Sequence, residues 1–458
     1  MHYPWFYVPV LTSPMLIAAI AVFHVLVSHY AVGGGIFLAA ETRYAYRTRN
    51  TDYLNYLHRH AWFFVLLTVV FGAITGVGIW WTIGVASPLA TQTLIHTFVF
   101  AWGMEYAFFV VEIVSAFIFV YMWGRMRPRT HAAIGTIYAV AAWISLVLIT
   151  GITSFMLNPG AWPQHRSFWV GFFNPQLLPQ VVARTGGALV LATLYVYLHA
   201  SFAIKDVHLR SLIGQRSARP ALLGAAMLIV GGLWWYAAMP PSAQAALVST
   251  GALNVIAAVV LGVTVAVFVM LYAGAYRHPT WITPGFAILL FVFGLAGVTT
   301  GEFLREAVRK PYIIYNVVLS NQIFPEEIPR LRRTGILEGG IWTKAYVERD
   351  FPGLLTDGAV DQAKLAALTT ADKRTVGHVL FQYHCNDCHA AQIGYTAVGE
   401  LLRGWTPEMI DDLVRNPEKY HFFMPPWAGT PEEAALLTTY LESIAPPRPG
   451  DMNYGDGD

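Results

Sequence analysis

The sequence predicts an all-α protein in two parts, a polytopic membrane bundle of about eight transmembrane helices and a small helical domain at the C-terminus. Three observations carry that prediction. Hydrophobic residues fill 56% of the 458 positions and charged residues only 12%, whereas a soluble domain is about a quarter charged. Apolar stretches of membrane-spanning length recur through the first three hundred residues. From Glu326 onward the chain becomes charged and rich in turn residues, and this part holds both of its cysteines, in the run Cys385-Asn386-Asp387-Cys388-His389.

A helix needs about 20 apolar residues to cross roughly 30 Å of hydrocarbon. Stretches that meet this requirement cover residues 14–40, 60–86, 96–123, 132–155, 177–204, 221–239, 252–276 and 282–305. Basic residues favour alternate connections. Arg43, Arg47, Arg49 and Arg59 follow the first span, Arg125, Arg127 and Arg129 the third, Lys205, Arg210, Arg216 and Arg219 the fifth, and Arg277 the seventh. Connections 87–93 and 240–251 carry almost none. By the positive-inside rule the basic connections are cytoplasmic. Sparse arginines between spans are a signature of membrane orientation, and nothing in their pattern resembles a nucleic-acid patch. An even number of spans returns the chain to the outer face, so the N-terminus and the C-terminal domain are both expected outside the cell membrane. The stretch before Pro14 lacks a basic n-region, so the first span is expected to persist as a helix. The expected division is a membrane part at 1–312, an external linker at 313–373, the small helical domain at 374–446 and a tail at 447–458.

The cysteine run has the spacing of a c-type haem attachment site. Two thiols add to the haem vinyl groups and the adjacent His389 ligates iron from one side. Met424, in the stretch Phe422-Phe423-Met424-Pro425-Pro426 and 35 residues after His389, supplies a sulfur for the other side. Residues 374–446 therefore read as a cytochrome c domain carrying covalent haem c on Cys385 and Cys388, and the chain handles electrons. Such haems are normally attached outside the cytoplasm, in agreement with the charge pattern.

Ionisable side chains at membrane depth are costly and read as functional by default. His24 lies ten residues into the first span, about 15 Å from its outer end. Glu105 and Glu112 are seven apart on the third span, nearly two turns, and so share a face. Glu302 lies near the outer end of the eighth, followed by Arg305 and Arg309. Imidazole and carboxylate are suitable haem-iron ligands, and arginines at the boundary suit haem propionates. His24, Glu302 and Glu105 are thus candidate metal ligands, and the alternative for each is polar glue between helices. His29 falls about 140° around the helix from His24, so the two do not readily serve one iron, and His29 is a candidate ligand for a second haem. His58, His60, His96 and His199 fall near span ends and read as interfacial residues. The runs Gly33-Gly34-Gly35 and Gly72-Ala73-Ile74-Thr75-Gly76 suit close approach of a helix or a macrocycle.

In order along the chain, several of these features resemble subunit I of the cytochrome bd quinol oxidases. Phe23-His24 resembles the family's Tyr-His at its high-spin b haem, and Gly72-Ala73-Ile74-Thr75-Gly76 its GVATG. Met104-Glu105 with Phe108, Phe109 and Glu112 resembles the glutamate pair of the third span. Ser145 and Met156-Leu157-Asn158-Pro159 resemble the Ser and Met-x-Asn-Pro of the fourth. Glu302-Phe303-Leu304-Arg305 resembles the family's carboxylate and arginine, and Arg309-Lys310-Pro311-Tyr312 part of its Gly-Arg-Gln-Pro-Trp, shifted along the chain. The resemblance covers about the first 312 residues. It implies at least one non-covalent haem, b-type or d-type, with His24 and Glu302 as ligand candidates and Arg305 and Arg309 beside it. It also implies Glu105 near the oxygen-reducing haem, Glu112 with Ser145 on a proton path, and a subunit II-like partner.

The departures are equally specific. After Asn174-Pro175, where the family has the histidine of its low-spin haem, this chain has Ala183 and Arg184. Met270, the methionine of the seventh span, lies toward the inner end. The connection 240–251 is too short for a quinol-binding loop, and the two glutamates stand one residue closer than in the family. Without that electron entrance, the fused haem c is the expected replacement. The sequence thus points to a bd-like terminal oxidoreductase in the membrane lipid, taking electrons from an external cytochrome and reducing oxygen. The rival expectations are a non-catalytic membrane subunit passing electrons between the quinone pool or an enzyme complex and external cytochromes, or a haem-free scaffold for the cytochrome c domain.

Overall fold

The computed structural model describes Pro4, Phe6 and residues 8–446; the expected tail at 447–458 lies outside the described residues. Among the latter, eight helices are long and apolar enough to cross a membrane: Ser13–Thr48, Thr51–Ala86, Val99–Tyr121, Pro128–Ser154, Leu177–Ala203, Val207–Ala237, Gly251–Tyr276 and Pro284–Ala307. Each coincides with one of the eight apolar stretches to within three residues at any end where it falls short, and several extend further. The first two have 36 residues each, about 54 Å at 1.5 Å per residue, well beyond the hydrocarbon thickness. They are joined through Arg49, in the left-handed region at φ 54, and Asn50, whose side chain accepts the Tyr53 N–H at 2.9 Å and caps the second helix. The arginines expected in this connection therefore stand largely on helix ends.

The sixth span differs in the same way. It starts at Val207, capped by Asp206, and continues through Pro220, so Arg210, Arg216 and Arg219 ride on the helix instead of in a loop. A proline removes one backbone hydrogen bond, and membrane helices tolerate this where neighbours or local adjustment satisfy the freed carbonyl. Arg216 explains why the helix extends. Its Nη2 donates to Glu41 Oε1 of the first span at 2.9 Å, its Nε also bonds Glu41, and its guanidinium lies 3.4 Å over the Tyr44 ring. The Tyr53 hydroxyl donates to Glu41 Oε2 at 2.9 Å. One carboxylate thus ties together the first, second and sixth helices.

The chain forms two compact units: Ile20–Trp80 with Thr93–Arg309, and the described residues of Met1–Ala19, Trp81–Gln92 and Lys310–Asp458. In the first unit the third span packs on the fourth, the fifth on the sixth and the seventh on the eighth, while the fourth and eighth both pack against the fifth. Gly33-Gly34-Gly35 serves helix approach. A Cβ on Gly33 would stand 2.0 Å from the Ala188 carbonyl oxygen of the fifth span, and one on Gly35 would stand 2.3 Å from the Tyr138 ring of the fourth. Small residues here let the first span touch its neighbours through backbone.

In the other unit, residues 313–373 are a folded segment. Tyr312–Ile314 pairs with Val318–Leu319, and Leu355–Thr356 with Ala359–Val360, both antiparallel. Leu331, Ile336, Leu337 and Trp342 share one apolar core with Phe381, Leu437 and Leu441 of the cytochrome helices. The N–H groups of Ile336 and Leu337 donate to the Glu433 carboxylate at 2.8 and 2.7 Å, and Glu433 also closes the capping box of helix Pro431–Ile444.

The glycine contact yields a prediction. Gly33→Val drives a side chain into the Ala188 backbone, and overpacking of this kind costs about 1–3 kcal/mol. Thermal unfolding in detergent is expected several degrees lower for Gly33→Val, with little change for a valine at Gly84, where a Cβ meets nothing within 4 Å.

Candidate functional site

Helix Thr370–His384 runs directly into the cysteine motif. The N–H groups of Cys388 and His389 both donate to the Cys385 carbonyl, at 3.2 and 3.1 Å, closing a tight turn. The two cysteines form no disulfide, and burial pushes the Cys385 thiol up to about 12. His389 Nδ1–H donates to the Thr396 carbonyl at 2.8 Å, which fixes the tautomer and leaves the Nε2 lone pair for iron. Thr396 in turn donates its hydroxyl to the Cys388 carbonyl at 2.5 Å. Met424 is half-buried in the loop before Pro425, its N–H donating to the His421 carbonyl at 2.9 Å. These residues fit a covalent haem.

Two further contacts hold the motif within its unit. Lys310 pairs with Asp387, a residue between the cysteines, at 3.6 Å. Tyr395 N–H donates to the Val10 carbonyl at 2.9 Å, and Gly394, at φ 126, passes so close to Val10 that a Cβ would come within 2.1 Å of its oxygen. Neither contact is readable from the motif itself.

In the membrane unit the His24 ring meets Thr75, with Nδ1 3.1 Å from Oγ1. The Thr75 hydroxyl donates its one proton to the Phe71 and Gly72 carbonyls, at 2.9 and 3.1 Å. It therefore accepts from His24 Nδ1–H, and Nε2 again keeps its lone pair. A π-helical turn at Leu66–Phe71 precedes this stretch and sets the rotation of Thr75. Gly76 admits the ring, since a Cβ there would meet His24 Cε1 at 3.2 Å. Glu302 accepts two bonds from Arg305, at 3.1 and 2.7 Å, and interacts electrostatically with Arg184 and His29. Arg309 pairs with Glu306 and places Nη1 3.4 Å from Met156 Sδ. Glu302 and Arg305 side chains keep 19% and 26% exposure, and His24 is half-buried. Arg309 is buried, and the donor chemistry of these residues fits a haem with an imidazole ligand and guanidinium partners for carboxylates.

Glu105, Glu112 and Ser145 form a second group. Ser145 Oγ donates to Glu105 Oε1 at 3.1 Å, and Glu112 interacts with both.

Several residues escaped the sequence reading. Glu41 and Arg216 are one case. Arg184, noted only as a replacement, is drawn into the Glu302 group, its Nη1 3.5 Å from Thr150 Oγ1. His60, expected at an interface, is fully buried, bonded to Tyr30 and to the half-buried His199. His58 and His96 keep a rim position, His58 stacked on Trp123 and His96 exposed, and His199 stands four residues from the end of the fifth span.

Residues 13–235 match the family model of cytochrome bd terminal oxidase subunit I. The chain carries a cytochrome bd subunit I domain. Residues 372–441 match the model of cytochrome c oxidase, cbb3-type, subunit III, so the membrane domain is followed by a cytochrome c domain, and both are haem-binding electron-transport modules. The solved structure of bd oxidase from Geobacillus thermodenitrificans is similar in fold, with a TM-score of 0.56 over 82% of this chain and 95% of that chain at 18% identity. No curated protein matches the chain.

Two predictions follow from this geometry. Thr75→Val keeps the side-chain volume but removes the acceptor that orients His24. Haem extraction is expected to show loss of non-covalent haem with covalent haem unchanged. In the cytochrome c domain, His384 is buried with its Nε2–H donating to the Pro426 carbonyl at 3.2 Å, and burial lowers its pKa to about 4. An unfolded histidine titrates near 6.5, so the neutral ring contributes stability above about pH 6.5 that is lost as pH falls toward 4, at about 1.4 kcal/mol per unit. The unfolding midpoint of this domain, followed by haem c absorbance, is expected to drop between about pH 7 and 5, and to drop less in His384→Gln.

Proposed function

We propose that the chain is a bd-like terminal oxidoreductase in which electrons from an external cytochrome enter at the Cys385/Cys388 haem and are delivered to oxygen at a haem held by His24. What supports this reading is that one chain offers two imidazoles in the same prepared form. His389 and His24 each have Nδ1–H engaged by a protein oxygen, at 2.8 and 3.1 Å, with Nε2 left for iron, and each lies in a segment matched by a haem-binding family. Haem iron, when bound, supplies one-electron transfer and, at an open coordination position, oxygen reduction.

The remaining roles belong to the chain's own side chains. Cys385 and Cys388 would attach the outer haem, and His389 and Met424 are the residues that would hold its iron. Glu302 is the second ligand candidate of the membrane haem, with Glu105 beside the reacting position. Arg305 and Arg309 hold haem carboxylates, and Arg184 joins them as a further positive charge at Glu302. Ser145 orients Glu105 and, with Glu112, passes protons toward the site through groups that do not require bulk water. On this reading the N-terminus and the cytochrome c domain, residues 374–446, face the outer side, with 1–312 as the membrane haem domain. Exposed side chains along the third span, among them Phe100, Tyr106, Val110, Val114 and Tyr121, suit membrane lipid and a subunit II-like partner.

The decisive measurement is oxygen uptake by the purified, haem-loaded protein with reduced soluble cytochrome c. Uptake is expected, with Glu112→Gln slowing it by about two orders of magnitude, the usual weight of a general acid or base. Uptake with quinol but none with cytochrome c rejects the electron entrance. Only six-coordinate haems that bind no carbon monoxide would select a passive electron conduit instead.

A further inference from the structure

We propose that His199, His60 and Tyr30 form a proton relay into the membrane bundle from the side bearing the basic connections, distinct from the group of Ser145, Glu105 and Glu112. The inference rests on the reading that the bundle consumes protons. Its geometry is a continuous file of exchangeable groups. His199 Nδ1 lies 3.1 Å from His60 Nδ1, and His60 Nε2 lies 3.0 Å from Tyr30 Oη. His199 stands four residues from the end of the fifth span, Leu177–Ala203, and is half-buried. His60 and Tyr30 are fully buried. The file thus begins where the helix ends and leads inward.

Two simpler roles fit the site less well. A ligand pair for one metal requires a free nitrogen on each ring, yet the two Nδ1 positions stand in direct hydrogen-bond contact and His60 Nε2 faces Tyr30, and no group of three or more metal-binding side chains occurs among the described residues. Plain packing glue requires one satisfied bond per ring, whereas both nitrogens of His60 face titratable partners. Tyr56, 3.5 Å from His60 Nδ1, is better placed to send its hydroxyl to the Val196 carbonyl at 3.3 Å, which leaves Nδ1 to His199. The rings are held in register by His199 on Phe63, with centroids 5.1 Å apart, and by Tyr30 on Tyr195, at 4.2 Å.

The step balances as follows. With bonds directed inward, His199 Nδ1–H points to His60 Nδ1, and His60 Nε2–H points to Tyr30 Oη. A proton taken up at His199 Nε2 moves Nδ1–H across to His60, moves Nε2–H across to Tyr30 and releases the Tyr30 hydroxyl proton inward. One proton enters, one leaves and no charge remains. Each ring is left in its other tautomer, and the next transfer follows once each ring has exchanged its proton back between Nδ1 and Nε2. Tyr30 lies on the same helix as His24, six residues away, or about 9 Å along the axis, so the released proton emerges on the element that carries the candidate haem ligand.

The test uses the full haem-loaded chain in liposomes, with an impermeant pH dye on the side of the basic connections, and follows proton uptake when a chemical reductant is added. Tyr30→Phe keeps the ring and its stack but deletes Oη. It is expected to slow uptake from that side about tenfold or more, at unchanged haem content and reduced spectrum, in both the wild-type and Glu112→Gln backgrounds. His60→Gln is expected to do the same. Uptake at the wild-type rate in Tyr30→Phe, or no uptake from that side by the wild-type protein, overturns the relay. Oxygen consumption measured on the same samples separates the two claims: slowed uptake without any oxygen reduction keeps the relay and removes the proposed oxidase activity.

Discussion

Hydrocarbon offers no water to an ionisable side chain, so each such group on these eight helices has to find its partner on protein. That constraint shapes the bundle. Glu41 binds Arg216 and Tyr53, joining the first, sixth and second spans. Ser145 binds Glu105, joining the fourth to the third. Thr75 holds His24, and Thr150 meets Arg184. Hydrophobic contact alone does not choose one helix face over another in lipid, because the tails are as apolar as leucine. Polar pairs and close backbone approach at Gly33 do choose, so the bonds that set helix register are also the bonds that place reactive groups.

This explains how much was legible in the sequence. Span number depends on local composition, and eight apolar stretches became eight helices. The cysteine motif is local too: its turn and its oriented His389 arise within twelve residues. Helix ends were less legible, because Pro220 and a basic run look like a boundary until Arg216 is seen to have a buried partner 175 positions away. The same holds for residues 313–373, which lack any span-length apolar run but contribute Leu331, Ile336 and Trp342 to a shared core. His60 was the clearest failure. Its distance from a span end suggested an interface, whereas its environment is set by Tyr30 and His199, on two other helices.

Burial alone would not sort these histidines by role, but their hydrogen bonds do. A metal ligand must keep one nitrogen lone pair free and gains from having the other ring N–H fixed. His389 and His24 meet that condition, His389 Nδ1 engaged by a carbonyl oxygen and His24 Nδ1 by a hydroxyl whose own proton goes to backbone carbonyls. His131 does not: the Tyr46 hydroxyl lies 2.9 Å from its Nδ1, and its Nε2–H donates to the Phe119 carbonyl at 2.7 Å. It is consumed in holding helices together. His60 also has both nitrogens engaged, but by partners that each lose and gain protons. Ligand, strut and relay thus differ in the chemistry of what the second nitrogen meets, and that chemistry comes from a neighbouring helix instead of from the residue's own sequence context.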